Sequence, residues 1–295
     1  MFPIHLDLSF LGLKIIYHFE SIYFIIAIIC GILIVRRNFK KAALGLSTDQ
    51  TDQIVYTALL FGLIGTRLSH FLFWSIKETL KHPLMMITPG VAGASIVGGL
   101  MFGIAAAYVY ARIKKIDFYP LFATASPALL IAQSIGRIGC FLNGDAFGIA
   151  APKGLGVRFA RYGYTFPTFH KATEINSYAW RYSRFSGAEG VTETRSGYLY
   201  PTQLYEIAAN MLLLLAIFLV LKKVKNKNTA YKYVFFIHAG GYSLFRALLQ
   251  FIREDRAQIL FGNVSILQLV LLLLAAFFII MTVRTLISEK TMREA

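Results

Sequence analysis

Apolar residues in this chain gather into windows about as long as a bilayer is thick, separated by breaks that are basic or rich in Gly and Pro. The windows run approximately over residues 21–35, 54–74, 90–111, 121–142, 203–221, 234–252 and 264–283. A helix rises 1.5 Å per residue, so roughly 20 apolar residues cross the ~30 Å of hydrocarbon. The pattern predicts an all-α integral membrane protein of about seven transmembrane helices. Residues 143–200, rich in Gly, Tyr, Arg and Thr, hold no such window and read as a head inserted between the fourth and fifth helices. The expected organisation is one polytopic domain over 1–295 with that head inside it.

Charge sets the expected orientation. Basic clusters follow the first, third, fifth and seventh windows: Arg36, Arg37, Lys40 and Lys41; Arg112, Lys114 and Lys115; Lys222, Lys223, Lys225 and Lys227; Arg284, Lys290 and Arg293. Basic loops stay in the cytoplasm, which predicts an extracytoplasmic N-terminus and head and a cytoplasmic C-terminus. The first apolar stretch is interrupted by Lys14, His18 and Glu20 and lacks a small-residue cleavage site, so the first helix is expected to be retained. No repeat at a fixed period appears, which argues against a transporter of inverted halves.

Composition narrows the class further. With 57% apolar residues, 15% charged and a mean hydropathy of +0.60, a soluble domain of ordinary charge content is excluded. The net charge of +15 would suit nucleic acid, but the basic residues sit at window ends, where topology and anionic phospholipid headgroups account for them. Cys30 and Cys140 both lie in apolar segments, where no disulfide framework is expected. Tyr162, Tyr164, Trp180 and Tyr198 read as interfacial anchors.

The candidate chemistry lies in ionisable residues inside apolar windows, where a charge at a helix centre costs about 2.5–3.5 kcal/mol even on lenient scales. These are Arg67 and His70, Arg137 and Asp145, Glu206, and Arg246 with Arg253. Arg137 stands in a glycine-rich stretch from Gly136 to Gly148 that would loosen a helix and let a ligand approach the backbone; the plainer reading is a helix exit with a turn at Asn143-Gly144. Pro201 to Glu206 reads as a helix start capped by Thr202, with Gln203 and Glu206 sharing a face. Arg246, Gln250 and Arg253 recur at i, i+4 and i+7 and predict one polar stripe on a helix. Arginines converging from different helices suit either an ion pair with Glu206 or Asp145, or bidentate contact with an anionic phosphate.

Along Gly136–Gly148 and Pro201–Glu206 the chain resembles the bacterial prolipoprotein diacylglyceryl transferase family. Further similar pieces are Gly65-Thr66-Arg67-Leu68, Gly98-Gly99-Leu100, Phe245-Arg246, Phe251-Ile252-Arg253 and Gln268. The resemblance implies seven helices in the bacterial cytoplasmic (inner) membrane. It also implies transfer of the diacylglyceryl group of phosphatidylglycerol to the lipobox cysteine thiol of a prolipoprotein. Phosphatidylglycerol, prolipoproteins and membrane lipids are the partners implied; no cofactor, metal or nucleic acid is expected.

By resemblance, Arg137, Arg246, Glu206 and Asp145 form the catalytic set. Arg67, Gly98, Gly99, Arg137, Asn143, Gly148, Gln203 and Arg253 bind phosphatidylglycerol. Where the family has a histidine before Gly98, this chain has Val97; Cys140 replaces an asparagine, Asp145 and Gln250 replace glutamates, and Phe19 replaces a tyrosine. His70, three residues beyond Arg67, is the candidate substitute base, ahead of His238. Two other classes compete with the transferase: a non-catalytic paralogue that binds anionic phospholipid or a lipoprotein partner, and a transporter whose pathway the buried charges line.

Overall fold

The computed structural model describes residues 4–7, 16–17, 19–42, 44–74, 76–82, 95–161, 164–165, 177–255 and 259–294. Each apolar window becomes a helix: α1 (Phe19–Ala42), α2 (Thr48–Trp74), α4 (Ile96–Ile113), α5 (Phe118–Asn143), α7 (Thr202–Lys223), α8 (Lys227–Leu249) and α9 (Ile266–Glu294). Short helices α3 (Ile76–Lys81) and α6 (Tyr178–Phe185) lie between them. Strands β1 (Ile4–Asp7), β2 (Ile16–Tyr17) and β3 (Tyr164–Thr165) form one small ribbon in the order β2-β1-β3, and β4 (Ile259–Phe261) pairs antiparallel with β5 (Val264–Ser265).

Six helices among the described residues are long and apolar enough to cross a membrane; α8 has the length but not the apolarity. Lys227, Lys232, His238 and Arg246 dilute its apolar residues. Outward side chains on the others are aliphatic or aromatic, such as Leu33, Leu60, Leu212, Phe218 and Ile280. Such side chains are at ease in lipid and unfavourable in water. The basic runs expected in loops are partly helical: Lys40 and Lys41 close α1, and Arg284 lies within α9. The segment 90–94 of the third window lies outside the described residues.

The chain divides into two compact units: Met1–Gly31, Leu129–Leu215 and Phe245–Asp255 in one, and Ile32–Ala128, Ala216–Leu244 and Arg256–Ala295 in the other. In the second unit a capping box opens α2. The Gln50 N–H donates to the Ser47 hydroxyl (3.1 Å), and the Ser47 N–H donates to the Gln50 side chain (3.0 Å). Helix α2 then packs on α4 backbone to backbone. A Cβ on Gly98 would meet the Gly65 carbonyl at 2.5 Å as well as the Ser69 side chain, and one on Gly99 would meet Thr66 at 2.7 Å. Small residues are what let membrane helices approach this closely. Elsewhere in this unit Phe122 packs edge-on to Phe235 (4.9 Å between centroids), Phe236 stacks on Phe278, and the buried Ser126 hydroxyl meets His238 Nδ1 at 2.6 Å.

In the first unit the segment after α5 packs on the end of that helix around a core of Phe141, Phe147, Phe159, Ala179, Ala188 and Leu199. Trp180, expected as an anchor, is buried in it: its indole N–H donates to the Thr192 carbonyl (2.8 Å), and the Arg161 and Arg184 guanidinium groups sit over its ring at 4.4 and 5.0 Å. Its polar edge is satisfied by protein, so no interface is needed to hold it. Tyr198 lies under Arg158, while Tyr162 is outside the described residues.

The glycine packing leads to a stability contrast. Gly98→Ala must separate α2 from α4 and is expected to cost about 1–3 kcal/mol through overpacking. Gly136→Ala meets nothing within 4 Å and is expected to leave stability unchanged or slightly raised, since alanine is the better helix former. Thermal unfolding of both variants in one detergent checks the contrast, and equal midpoints would refute it.

Candidate active site

Three segments of the first unit meet at one end of α5, α7 and α8. Helix α5 stays unbroken through Gly136 and Gly139, against the loosening expected there, and closes at Gly144. Gly144 adopts φ +73°, and its N–H donates to the Cys140 carbonyl (3.0 Å), a left-handed helix cap. The next turn puts Ala146 at φ +53°, a conformation that costs a residue with a side chain. It is held there by the Thr202 hydroxyl, which donates to the Ala146 carbonyl (2.7 Å). Thr202 therefore clamps the α5 exit, where a helix cap was expected of it.

Gly148 then runs between two backbones. Its N–H donates to the Tyr200 carbonyl (2.8 Å), the Ile149 N–H donates to the Ile252 carbonyl (2.9 Å), and a Cβ at 148 would meet the Ile252 carbonyl at 2.5 Å. This junction also corrects the stripe expected on α8. The helix ends at Leu249, Gln250 to Ile252 form a turn, and Arg253 sits in a bridge opposite Gly148. Arg253 is thus delivered by the junction, not by the helical period.

At this end Glu206 gathers the charge. Its Oε2 pairs with Arg137 Nε, and its Oε1 accepts from Arg246 Nη1 and, at 3.1 Å, from Arg253 Nη1. Arg253 also forks onto Asp255, Nε to Oδ1 at 2.7 Å and Nη2 to Oδ2 at 2.5 Å. Glu206, Arg246 and Arg253 are buried, and the Arg137 side chain is 11% exposed. The ion-pair reading of the arginines holds for Glu206: three guanidinium groups from separate segments converge on its carboxylate. Arg137 Nη1 also lies 3.8 Å from the Cys140 sulfur.

Asp145 holds the surrounding turn. Asn143 Nδ2 donates to its Oδ2 (2.5 Å), and Gln203 Nε2 donates to its backbone carbonyl (2.5 Å). The Tyr178 hydroxyl donates to Glu254 Oε1 (2.8 Å). Burial raises the Glu254 carboxyl above its ordinary value, with the neighbouring Asp255 charge adding to the rise; burial and then Glu254 raise the Tyr178 phenol.

Arg67, His70, Val97, Gly98 and Gly99 belong to the second unit. Gly98 and Gly99 form the α2–α4 contact, beside the buried Val97. The Arg67 guanidinium lies over the Phe71 ring at 4.9 Å, and His70 meets the same ring edge-on at 5.7 Å. Phe19 starts α1, and its side chain lies outside what the structure describes. Three buried polar residues a turn away from the cluster in sequence, Gln133, Ser134 and Asn210, went unnoticed. Gln133 is buried on α5, and Asn210 on α7 donates from Nδ2 to the Ser134 hydroxyl at 3.3 Å. The signal was an uncharged polar side chain inside an apolar window.

Removing the central carboxylate tests this electrostatic arrangement. Glu206→Gln leaves three guanidinium groups facing one another and is expected to destabilise the protein by about 3–5 kcal/mol, the usual cost of breaking a buried pair. Unfolding measured in mild detergent reads this directly. A change below about 1 kcal/mol would mean that the arginines are satisfied without Glu206.

The comparisons with known proteins agree with this architecture. The family model for prolipoprotein diacylglyceryl transferase matches residues 9–284. The phosphatidylglycerol–prolipoprotein diacylglyceryl transferase of Geobacter sulfurreducens is 30% identical over 288 residues, 97% of this chain and 93% of that one. The protein of the same name from Fusobacterium nucleatum is 27% identical over 272 residues, 89% of this chain and 93% of that one. One from Clostridium botulinum is 28% identical over 236 residues, 79% of this chain and 80% of that one. With a family match over nearly its whole length, joined to membrane-length helices and a buried arginine cluster, this chain belongs to the prolipoprotein diacylglyceryl transferase family.

Proposed function

We propose that this chain transfers the diacylglyceryl group of phosphatidylglycerol to the lipobox cysteine thiol of a prolipoprotein. The observation that carries the reading is the convergence of Arg137, Arg246 and Arg253 on Glu206 in a buried setting. In the reaction the cysteine sulfur forms a bond to the terminal glyceryl carbon, and the bond from that carbon to the phosphate oxygen breaks. Glycerol phosphate leaves with the electron pair, and the thiol proton passes to a base or to water. The phosphate goes from one negative charge to two as it leaves. Guanidinium groups fixed beside it stabilise that gain, because they need no reorganisation at the moment of reaction.

Arg137 and Arg246 are assigned to the phosphate. A guanidinium carries five N–H donors, so it can hold a carboxylate with one edge and a phosphate with another. Glu206 fixes the two arginines, and Asp145 with Asn143 and Gln203 sets the α5 exit beside them. Gly148 lets the junction close, and Arg253 joins the junction to the cluster. By the family resemblance, Arg67, Gly98 and Gly99 bind phosphatidylglycerol, and His70 is the candidate substitute base. Loss of a base costs about 10²- to 10⁴-fold, which a cysteine tolerates because a few per cent is thiolate at neutral pH.

The topology that fits this reading is the bacterial cytoplasmic membrane crossed seven times, α8 included, with the N-terminus and residues 143–200 outside and the C-terminus inside. The paralogue reading draws on Val97 and Gln250, which stand where the family carries ionisable side chains.

Complementation separates the two. Supplied to bacteria depleted of their own diacylglyceryl transferase, the chain is expected to restore lipid modification of prolipoproteins. The purified protein is expected to release glycerol phosphate from phosphatidylglycerol in the presence of a lipobox peptide. Arg137→Ala is expected to lower the rate by roughly 10²- to 10³-fold, the cost of one lost transition-state donor. A folded wild-type protein that retains uncleaved phosphatidylglycerol and releases nothing would establish the binding role instead.

A further inference from the structure

Three buried glutamines around the ion-pair cluster keep side-chain atoms without a protein partner: Gln133 Nε2, Gln203 Oε1, and both Nε2 and Oε1 of Gln250. Gln203 and Gln250 are 0% exposed and Gln133 is 8% exposed. Buried amide atoms in folded proteins nearly always find a partner, so a group of them beside a charged cluster points to a polar ligand.

Their placement is ordered. Each stands one helical turn from a member of the cluster: Gln133 four residues before Arg137, Gln203 three before Glu206, and Gln250 four after Arg246, whose carbonyl accepts from the Gln250 N–H at 3.2 Å. The junction of Gly148, Tyr200 and Ile252 marks one end of all three helices. Gln203 and Gln250 therefore lie on the junction side of the arginines, and Gln133 lies about 6 Å beyond Arg137 in the opposite direction. From the junction inward the sequence of groups is an acceptor (Gln203) with a combined donor and acceptor (Gln250), then guanidinium groups, then a donor (Gln133). Gln203 is held in place by its other atom, Nε2, on the Asp145 carbonyl.

A diacyl phospholipid with a polyol headgroup presents the matching series: hydroxyls, which donate and accept; a phosphodiester anion; ester carbonyls, which only accept; then acyl chains. We propose that Gln203 and Gln250 hold the headgroup hydroxyls and that Gln133 donates to an ester carbonyl, so that these glutamines determine lipid specificity. The assignment rests on the phospholipid reading of the arginine cluster made above.

The test measures binding of three lipids to the purified full-length protein in an uncharged detergent. They are phosphatidylglycerol, phosphatidylethanol (the same charge without headgroup hydroxyls) and dialkyl-ether phosphatidylglycerol (no ester carbonyls). Wild type is expected to bind phosphatidylglycerol on the order of 3- to 10-fold more tightly than either analogue, the worth of a lost hydrogen bond or two. Gln250→Met is expected to bring phosphatidylglycerol down to the phosphatidylethanol value while the ester–ether difference persists. Gln133→Leu is expected to erase the ester–ether difference and keep the headgroup preference. Gln203→Met repeats the headgroup test should Gln250→Met fail to fold, and the wild-type ratios need no variant at all. Equal wild-type affinity for all three lipids, or a uniform loss on all three in every variant, overturns the proposal while leaving the phospholipid site standing. A folded wild-type protein that binds none of them overturns both.

Discussion

A carboxylate buried with three guanidinium groups is costly to desolvate, and it holds only if every group finds its partner in place. Glu206 imposes that condition on the first unit. Arg137 must come from the last turns of α5, Arg246 from the last turn of α8, and Arg253 from the junction beyond it. The exit of α5 turns at Gly144 and Ala146 so that Gly148 can slot between Tyr200 and Ile252, and that slot is what carries Arg253 to Glu206. Backbone geometry and charge are thus mutually dependent: neither the tight junction nor the arginine cluster is sustainable alone.

The second unit solves a different problem, holding helices together where lipid offers no hydrophobic drive. Its answer is close backbone contact at Gly65, Gly98 and Gly99, with the N–H of Ser95, just before α4, reaching the Thr66 carbonyl of α2 at 2.9 Å. Aromatic edge-to-face packing around Phe122, Phe235 and Phe278 fills the wider spaces. Glycines that a motif would assign to a ligand therefore have a complete packing explanation, and any lipid contact they make is in addition to it.

Much of this was legible in the amino-acid order. The apolar windows located every long helix, because lipid selects for apolar residues all round and leaves little ambiguity. Arg137, Glu206 and Arg246 stood out because a charge within a window needs a partner. The end of α8 was not legible: Arg246, Gln250 and Arg253 fit a helical period, but a non-local bridge to Gly148 takes over after Leu249. Trp180 was misread for a related reason, as its partners Thr192, Arg161 and Arg184 come together only in the folded segment. Gln133 and Asn210 carried a weak signal, since an amide in an apolar window is cheap enough to pass for tolerated polarity.

The order of synthesis gives Glu206 a second significance. Helix α8, the long helix that falls short in apolarity, is made after α5 and α7. By then Arg137 and Glu206 are both present in the chain, and their pairing leaves a carboxylate oxygen for Arg246 and Arg253. A segment less apolar than the other long helices gains a counter-charge already in the bilayer. Burial of Arg246 and of the Arg253 that follows it then becomes a late assembly step, governed by the helices inserted before α8.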